Sequence, residues 1–304
     1  MTESARQIRD GNPRALARTA TGIENRDPQA LATLGELAPF AGHAKIVGIT
    51  GPPGAGKSTL VDALAAALRR EGKTVAILAV DPTSGISGGA ILGDRVRMQQ
   101  HHADPGIFIR SMATRGSLGG LARATADLAQ LMDAAGKDYV VIETVGVGQA
   151  EIAIANLAQV TVVVLVPGMG DDVQAIKAGI LEIADIFAIN KSDQPGAERV
   201  ERELQAMLSL ADGSKPAIVK TVATTGAGIA ELLAAIHTVP PRTASVAPVH
   251  RIELRITNLT EALAHLQSAG ARIEPGRDGH ILVQPPDGVL LELVEERNQL
   301  TAES

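Results

Sequence analysis

Apolar and polar positions are distributed along this chain in blocks rather than in strict alternation. Runs rich in Val, Ile and Leu cover Lys45–Thr50, Thr74–Val80, Ile107–Arg110, Tyr139–Glu143, Thr161–Val166, Ile186–Asn190 and Ala217–Val222. A strand that is apolar at successive positions is buried on both faces, so these runs predict a mostly parallel sheet between layers of helices. Stretches with helical spacing fall at 57–70, 118–135, 171–182, 197–210 and 228–238, in the intervals between several of the strands. Before the first strand, Ile8, Leu16, Ala20 and Ile23 recur at helical spacing, and Asp27-Pro28 reads as a cap followed by a first-turn proline. Residues 3–40 are therefore expected to be short helices packing on the next domain. The predicted fold class is α/β, with a helical prefix over 1–42 and the main domain over 43–240.

The full chain of 304 residues is long enough for about two domains. Hydrophobic residues make up 45% and charged ones 20%, a balance that fits a globular protein rather than a disordered one. No apolar run reaches the roughly 18 residues of a membrane span, and the first residues, MTESARQIRDGNPRALART, lack the apolar core of a signal peptide. The cytoplasm is the expected compartment, with no membrane partner. Cysteine is absent, which excludes disulfides and thiolate metal sites. The net charge is −6 and the aromatics are Phe40, Phe108, Tyr139 and Phe187. A nucleic-acid binder wants a basic stripe and stacking rings, so nucleic acid is not an expected partner.

The chemistry is concentrated in IVGITGPPGAGKSTL, residues 46–60. Gly51, Gly56, Lys57 and Ser58 satisfy G-x-x-x-x-G-K-[ST], placed between a strand and a helix. Backbone N–H groups can wrap a phosphate chain only where side chains do not block the approach, hence the glycines. The following helix adds the positive end of its dipole. Gly51, Gly54, Ala55, Gly56, Lys57, Ser58 and Thr59 are the expected phosphate-binding residues. Lys57 would reach the β- and γ-phosphates, and the Ser58 hydroxyl would sit on Mg²⁺.

Two acids end later strands, Asp81 in Asp-Pro-Thr-Ser and Glu143 in Glu-Thr-Val-Gly-Val-Gly-Gln. Alone, either is as well read as a cap or a solvated turn residue. After a phosphate loop in the same sheet, both become candidate Mg²⁺ ligands beside Ser58. Gly146 could let a backbone N–H approach the γ-phosphate and move when that group leaves. Asn190-Lys191-Ser192-Asp193 ends another buried strand. An Asp carboxylate can accept both guanine N1–H and the exocyclic amine, a pair adenine lacks; the Lys191 stem can cover the base and Asn190 can tie the loop. GTP is expected over ATP.

These stretches, with LAVDPTSG, GGAILGDRVRM, FIRSMATRGSLGGLA, KAGILEIADIFAINKSD and TTGAGI, closely resemble the MeaB/ArgK/MMAA-type GTPases. The resemblance covers residues 3–240. It implies a P-loop GTPase that turns GTP into GDP and attends a B12-dependent acyl-CoA mutase of the methylmalonyl-CoA type, in cofactor loading or protection. It also implies nucleotide-responsive segments around 85–100 and 143–151, an Mg²⁺ site of Ser58, Asp81 and Glu143, and Ala223 beside the guanine carbonyl. The usual Thr-Ser-Ala is Thr221-Val222-Ala223 here, so any serine contribution is lost. Lys57, Glu143 and Gln149 are the catalytic candidates, although Gln149 lies three residues after Gly146 rather than next to it.

Proline and small polar residues over 241–248 mark a linker. Beyond it the pattern is β–α–β–β–β: strands at Val249–Thr257, Ala271–Glu274, His280–Gln284 and Val289–Glu295, and a helix at Leu259–Ala269. Residues 249–297, ahead of a short tail at 298–304, resemble half of a methylmalonyl-CoA epimerase, a vicinal-oxygen-chelate module, in VHRIELRITNLTEALAHLQSAGARI and GHILVQPPDGVLLELVEE. In that family each metal site takes a His from the first strand and a Glu from the last. Glu292 matches the Glu, but Arg251 stands where the His is expected, and Arg does not bind metal. Using His250 instead would turn the side chain to the other face of the strand. A docking element, or a homodimer formed through this module, is the expected use. The competing readings are a nickel-insertion GTPase, an ArgK-like kinase and a bifunctional GTPase/epimerase-related fusion. Nickel delivery leans on Cys and His ligands, and here there is no Cys and His101-His102 is the one adjacent His pair.

Overall fold

The computed structural model describes residues 1–81, 104–113, 118–144, 157–168, 183–209, 215–240, 242, 252–256, 263–264, 266–267, 272–275, 281–284 and 291–295. The chain divides into two compact units, Met1–Ser245 and Val246–Ser304. The helix expected at 171–182, most of the linker at 241–248, and the segments 85–100 and 145–151 lie outside the described residues.

The first unit opens with three short helices, α1 (Glu3–Arg9), α2 (Pro13–Glu24) and α3 (Pro28–Leu37). Each begins at a residue whose side chain accepts a backbone N–H of the first turn: Thr2 from Ala5, Asn12 from Arg14 and Ala15, and Asp27 from Gln29. Pro13 and Pro28 follow their caps, where a missing N–H costs nothing and a fixed φ suits the helix. Ile8, Leu16, Ile23, Leu34 and Leu37 are buried and belong to the same core as the sheet residues Leu78, Val140 and Ile142. The Asp133 carboxylate accepts the N–H groups of Gly42, His43 and Ala44 (2.6, 3.0 and 2.8 Å), which fixes the chain as it enters the sheet. Arg110–Glu24 and Arg26–Asp127, both 2.6 Å, fasten α2 and the turn after it to the same layer.

The sheet consists of β1 (Lys45–Thr50), β2 (Val75–Asp81), β3 (Ile107–Ala113), β4 (Tyr139–Thr144), β5 (Val160–Leu165), β6 (Ile186–Ile189) and β7 (Ala217–Lys220). All pairs are parallel, in the order β3-β2-β4-β1-β5-β6-β7. Among the described residues the helices that flank it are α4 (Lys57–Arg70), α5 (Leu118–Ala134), α6 (Ala197–Ser209) and α7 (Ile229–Thr238). Alternate strand residues feed opposite faces. Val47, Ile49, Val141 and Val162 pack with Leu60, Leu64, Leu232 and Ile236 of α4 and α7. On the other face Leu78, Val140 and Ile142 meet α5 and the N-terminal helices, while Val163, Leu165, Phe187 and Ile189 meet α6. Strands covered on both sides in this way explain why the sequence shows continuous rather than alternating apolar runs.

Strand ends differ from expectation by one to three residues, the most at β3, which runs on to Ala113 rather than ending at Arg110. β6 stops at Ile189 because the Asn190 side chain and the positive φ of Lys191 (55°) turn the chain out of the ladder. β7 stops at Lys220, and the loop after it is closed by a Val222–Ala227 bridge. There Gly228 is required, since a Cβ would lie 1.9 Å from the Lys220 carbonyl oxygen.

The second unit contains β8 (Ile252–Ile256), helical residues 263–264 and 266–267, β9 (Arg272–Pro275), β10 (Ile281–Gln284) and β11 (Leu291–Glu295). These strands form a separate sheet in the order β8-β11-β10-β9. β11 runs parallel to β8 and antiparallel to β10, with Glu292 in register with Glu253 on one side and Leu282 on the other. His250 and Arg251 lie outside the described residues.

Candidate functional site

The chain order diverges at β1: β2, β3 and β4 lie to one side of it and β5, β6 and β7 to the other. In parallel sheets such a point, at the carboxyl ends of the strands, is where ligands bind. The loop 51–56 leaves β1 there and leads into α4. Gly51 has φ +137°, and a Cβ on it would lie 2.2 Å from the Val164 carbonyl oxygen. Gly56, immediately before α4, has φ +84°, and its Cβ would lie 2.6 Å from Asn190 Nδ2. The Val164 backbone at one end of the loop and the Asn190 side chain at the other therefore occupy the space a side chain would need.

Lys57 is buried, and its Nζ donates to the carbonyls of Gly51 (2.8 Å) and Pro52 (2.9 Å). Its charge is thereby held inside the curve of the loop. Next to it, Ser58 Oγ donates to Glu143 Oε1 at 2.6 Å. Glu143 is 6% exposed and is registered with Ile49 of β1 and Ala79 of β2, so the acid sits in mid-sheet at the loop's foot. A hydroxyl and a carboxylate at the positive end of a helix are hard oxygen donors, and this set fits Mg²⁺. Asp81, the last residue of β2, ends on the same carboxyl edge.

Asn190 connects this loop to the other candidate loops. It is 2% exposed; its Nδ2 donates to the Ala55 carbonyl (2.9 Å), and its Oδ1 accepts from the Ala223 N–H (3.1 Å) and the Thr221 hydroxyl (3.3 Å). The N–H of Ala223, the residue expected beside a guanine carbonyl, is thus engaged by Asn190. Lys191 Nζ donates to the Gly54 carbonyl at 2.9 Å, and its Cε passes 3.9 Å from the Cβ position of Gly56. The Ser192 N–H donates to the Thr221 carbonyl at 3.1 Å. Asp193 is exposed on the turn that follows, and Thr59 is exposed on the first turn of α4. The structure so brings together Gly51, Gly54, Ala55, Gly56, Lys57, Ser58, Glu143, Asn190, Lys191 and Ala223. Gly146 and Gln149 lie outside the described residues.

The family model for the methylmalonyl Co-A mutase-associated GTPase MeaB matches residues 16–249. The chain belongs to the MeaB family. A protein of Pyrococcus horikoshii named as a GTPase is 53% identical over 236 residues, covering 76% of this chain and 74% of its own length. The mitochondrial methylmalonic aciduria type A homolog of Mus musculus is 41% identical over 193 residues, 61% of this chain and 46% of that one. Among solved structures, an LAO/AO transport system kinase superposes with a TM-score of 0.62 at 32% identity, covering 77% of this chain and 73% of the other. This MeaB-family protein is a P-loop GTPase, and GTP and GDP are its nucleotides. Among the described residues no helix is long and apolar enough to cross a membrane.

Proposed function

We propose that this GTPase assists a B12-dependent acyl-CoA mutase of the methylmalonyl-CoA type in the cytoplasm, coupling GTP hydrolysis to loading or protection of the mutase cofactor. The family's association with methylmalonyl-CoA mutase supports the partner. The observation that carries the nucleotide assignment is the Asn190 side chain, hydrogen-bonded at once to the phosphate loop and to the loop at Ala223. That single side chain sets the spacing between a phosphate-binding and a base-binding segment.

On this reading Lys57 exchanges its contacts with the Gly51 and Pro52 carbonyls for the β- and γ-phosphates, while the first N–H groups of α4 face the same phosphates. Ser58, Asp81 and Glu143 would hold Mg²⁺, which when bound neutralises charge on the phosphate oxygens. Asp193 reads the guanine edge and the Lys191 stem lies against the base. Gln149 is the candidate for orienting the attacking water, and Gly146 the candidate for approaching the γ-phosphate. Intrinsic turnover is slow and rises when the mutase engages the protein. The module at 249–297 serves docking or self-association rather than metal chemistry.

The test is GTP turnover of the full chain with and without purified methylmalonyl-CoA mutase. A rate that rises with mutase concentration is expected; an unchanged rate, with no complex on a sizing column, would remove the partner assignment.

A further inference from the structure

Two buried hydroxyls meet at the foot of the nucleotide site. Thr50 ends β1 and Thr144 ends β4; each is 2% exposed, and Thr144 Oγ1 donates to Thr50 Oγ1 at 2.9 Å. The β1–β4 register runs from Lys45–Tyr139 to Ile49–Glu143. The two threonines occupy the next row, so a side-chain hydrogen bond carries the pairing one step further toward the phosphate loop. The neighbouring residues along both strands on this face are apolar or small: Ile46 and Gly48 on β1, Val140 and Ile142 on β4. Apolar contacts hold strands together without fixing direction, whereas two β-branched hydroxyls joined at one distance also fix χ1 at both residues.

The position of the pair gives it a consequence. Successive strand residues face opposite ways, so Glu143 points to the α4 side, where it meets Ser58, and Thr144 points to the α5 side, where it meets Thr50. The last two residues of β4 therefore grip the segment from β1 into α4 from both sides of the sheet. The α4-side grip uses groups that a magnesium nucleotide would engage, and the Thr pair uses none of them.

We propose that the Thr50–Thr144 pair is a positioning element for GTP hydrolysis, holding Glu143 in fixed register with the phosphate loop while Ser58 and Glu143 exchange partners. It rests on the assignment of Glu143 to the nucleotide site made above. The geometry matters to the reacting arrangement more than to ground-state binding, so its loss falls on kcat.

Full-length Thr144→Val and Thr50→Val keep the side-chain shape and remove one hydroxyl each; Thr144→Ser keeps the hydroxyl. Both Val variants should lose about fivefold or more in kcat with KM for GTP within about twofold of wild type. The double Val variant should be no slower than the slower single one, because the two act as a unit, and Thr144→Ser should recover most of the rate. Should Thr144→Val fail to give a cooperative melt, Thr50→Val carries the same expectation. Wild-type kcat in the Val variants, a loss appearing equally in GTP affinity, additive losses in the double variant, or a Ser variant as slow as Val would each overturn the proposal. Titration calorimetry of the same samples separates the two readings. Normal GTP binding with unaltered kcat in the variants sinks this one alone, whereas wild-type protein that binds no GTP sinks both.

Discussion

Asn190→Ala is the most informative single perturbation of the nucleotide site. The change leaves the Ala55 carbonyl and the Ala223 N–H, both on buried residues, without the side chain that satisfies them. Orphaning a buried polar group costs about 1–3 kcal/mol, so the two together amount to roughly 2–6 kcal/mol before the loops relax or water enters. If the lower figure falls on the arrangement that receives nucleotide, affinity drops about 30-fold, since 1.4 kcal/mol is a factor of ten. If it falls on the fold instead, a domain of this size loses roughly 4–8 °C in melting temperature. Calorimetric titration with GTP and GDP, paired with a thermal melt, divides the loss between the two. Asn190→Asp sharpens the test, because it keeps an acceptor for Ala223 but turns a like-charged oxygen toward the Ala55 carbonyl. It should bind no better than the Ala variant. Nucleotide affinities within about threefold of wild type, together with a melt shifted by no more than about 1 °C, would refute the view that this side chain spaces the loops.

Further outcomes are expected. Lys57→Ala should abolish binding of both GTP and GDP in the same titration, because the amine held by Gly51 and Pro52 is the cation proposed above to reach the phosphates; retained affinity would contradict the role. Asp193→Asn should move preference from GTP toward xanthosine triphosphate, checked by competition binding, and unchanged GTP selectivity would remove the guanine assignment. At the opposite edge of the sheet, the Thr74 backbone N–H holds the Asp138 carboxyl below the usual carboxylate range, burial opposes it, and the Thr74 hydroxyl adds to the lowering. A carboxyl lowered on folding contributes stability above its unfolded value, about 3.9, and loses that contribution as pH falls through the lower folded value. Melts between about pH 6 and 3 should therefore decline less steeply for Asp138→Asn than for wild type; parallel curves would count against it. Deleting 245–304 should leave GTP binding intact and weaken self-association or mutase binding, read by sedimentation and pull-down.

Much of the first unit is legible in one dimension. β1 and α4 take the bounds that the apolar run and the phosphate-loop motif set for them, because burial on both faces leaves an unbroken apolar signature and the motif dictates where the helix begins. Asp27-Pro28 likewise marks a real helix start. Long-range partnerships are what spacing does not reveal. Nothing around Asp133 signals that its carboxylate accepts three N–H groups some ninety residues earlier in the chain. The Thr50–Thr144 bond links residues 94 apart, and only the insertion of β4 beside β1 brings them together. Asn190 could be read as a loop tie, yet its capture of the Ala223 N–H depends on how the loop after β7 folds back, a matter of tertiary geometry.

The N-terminal helices carry a practical consequence for anyone trimming the protein. Ile8, Leu16, Ile23, Leu34 and Leu37 are each almost wholly hidden from solvent, and burial of such a side chain is worth about 1.5–3 kcal/mol. Several of them together rival the whole net stability of an ordinary domain, about 5–15 kcal/mol. A fragment begun at the first strand would thus expose a greasy wall to water and release the carboxylate of Asp133 from its clients, and it should come out of cells as insoluble material however complete its catalytic loops.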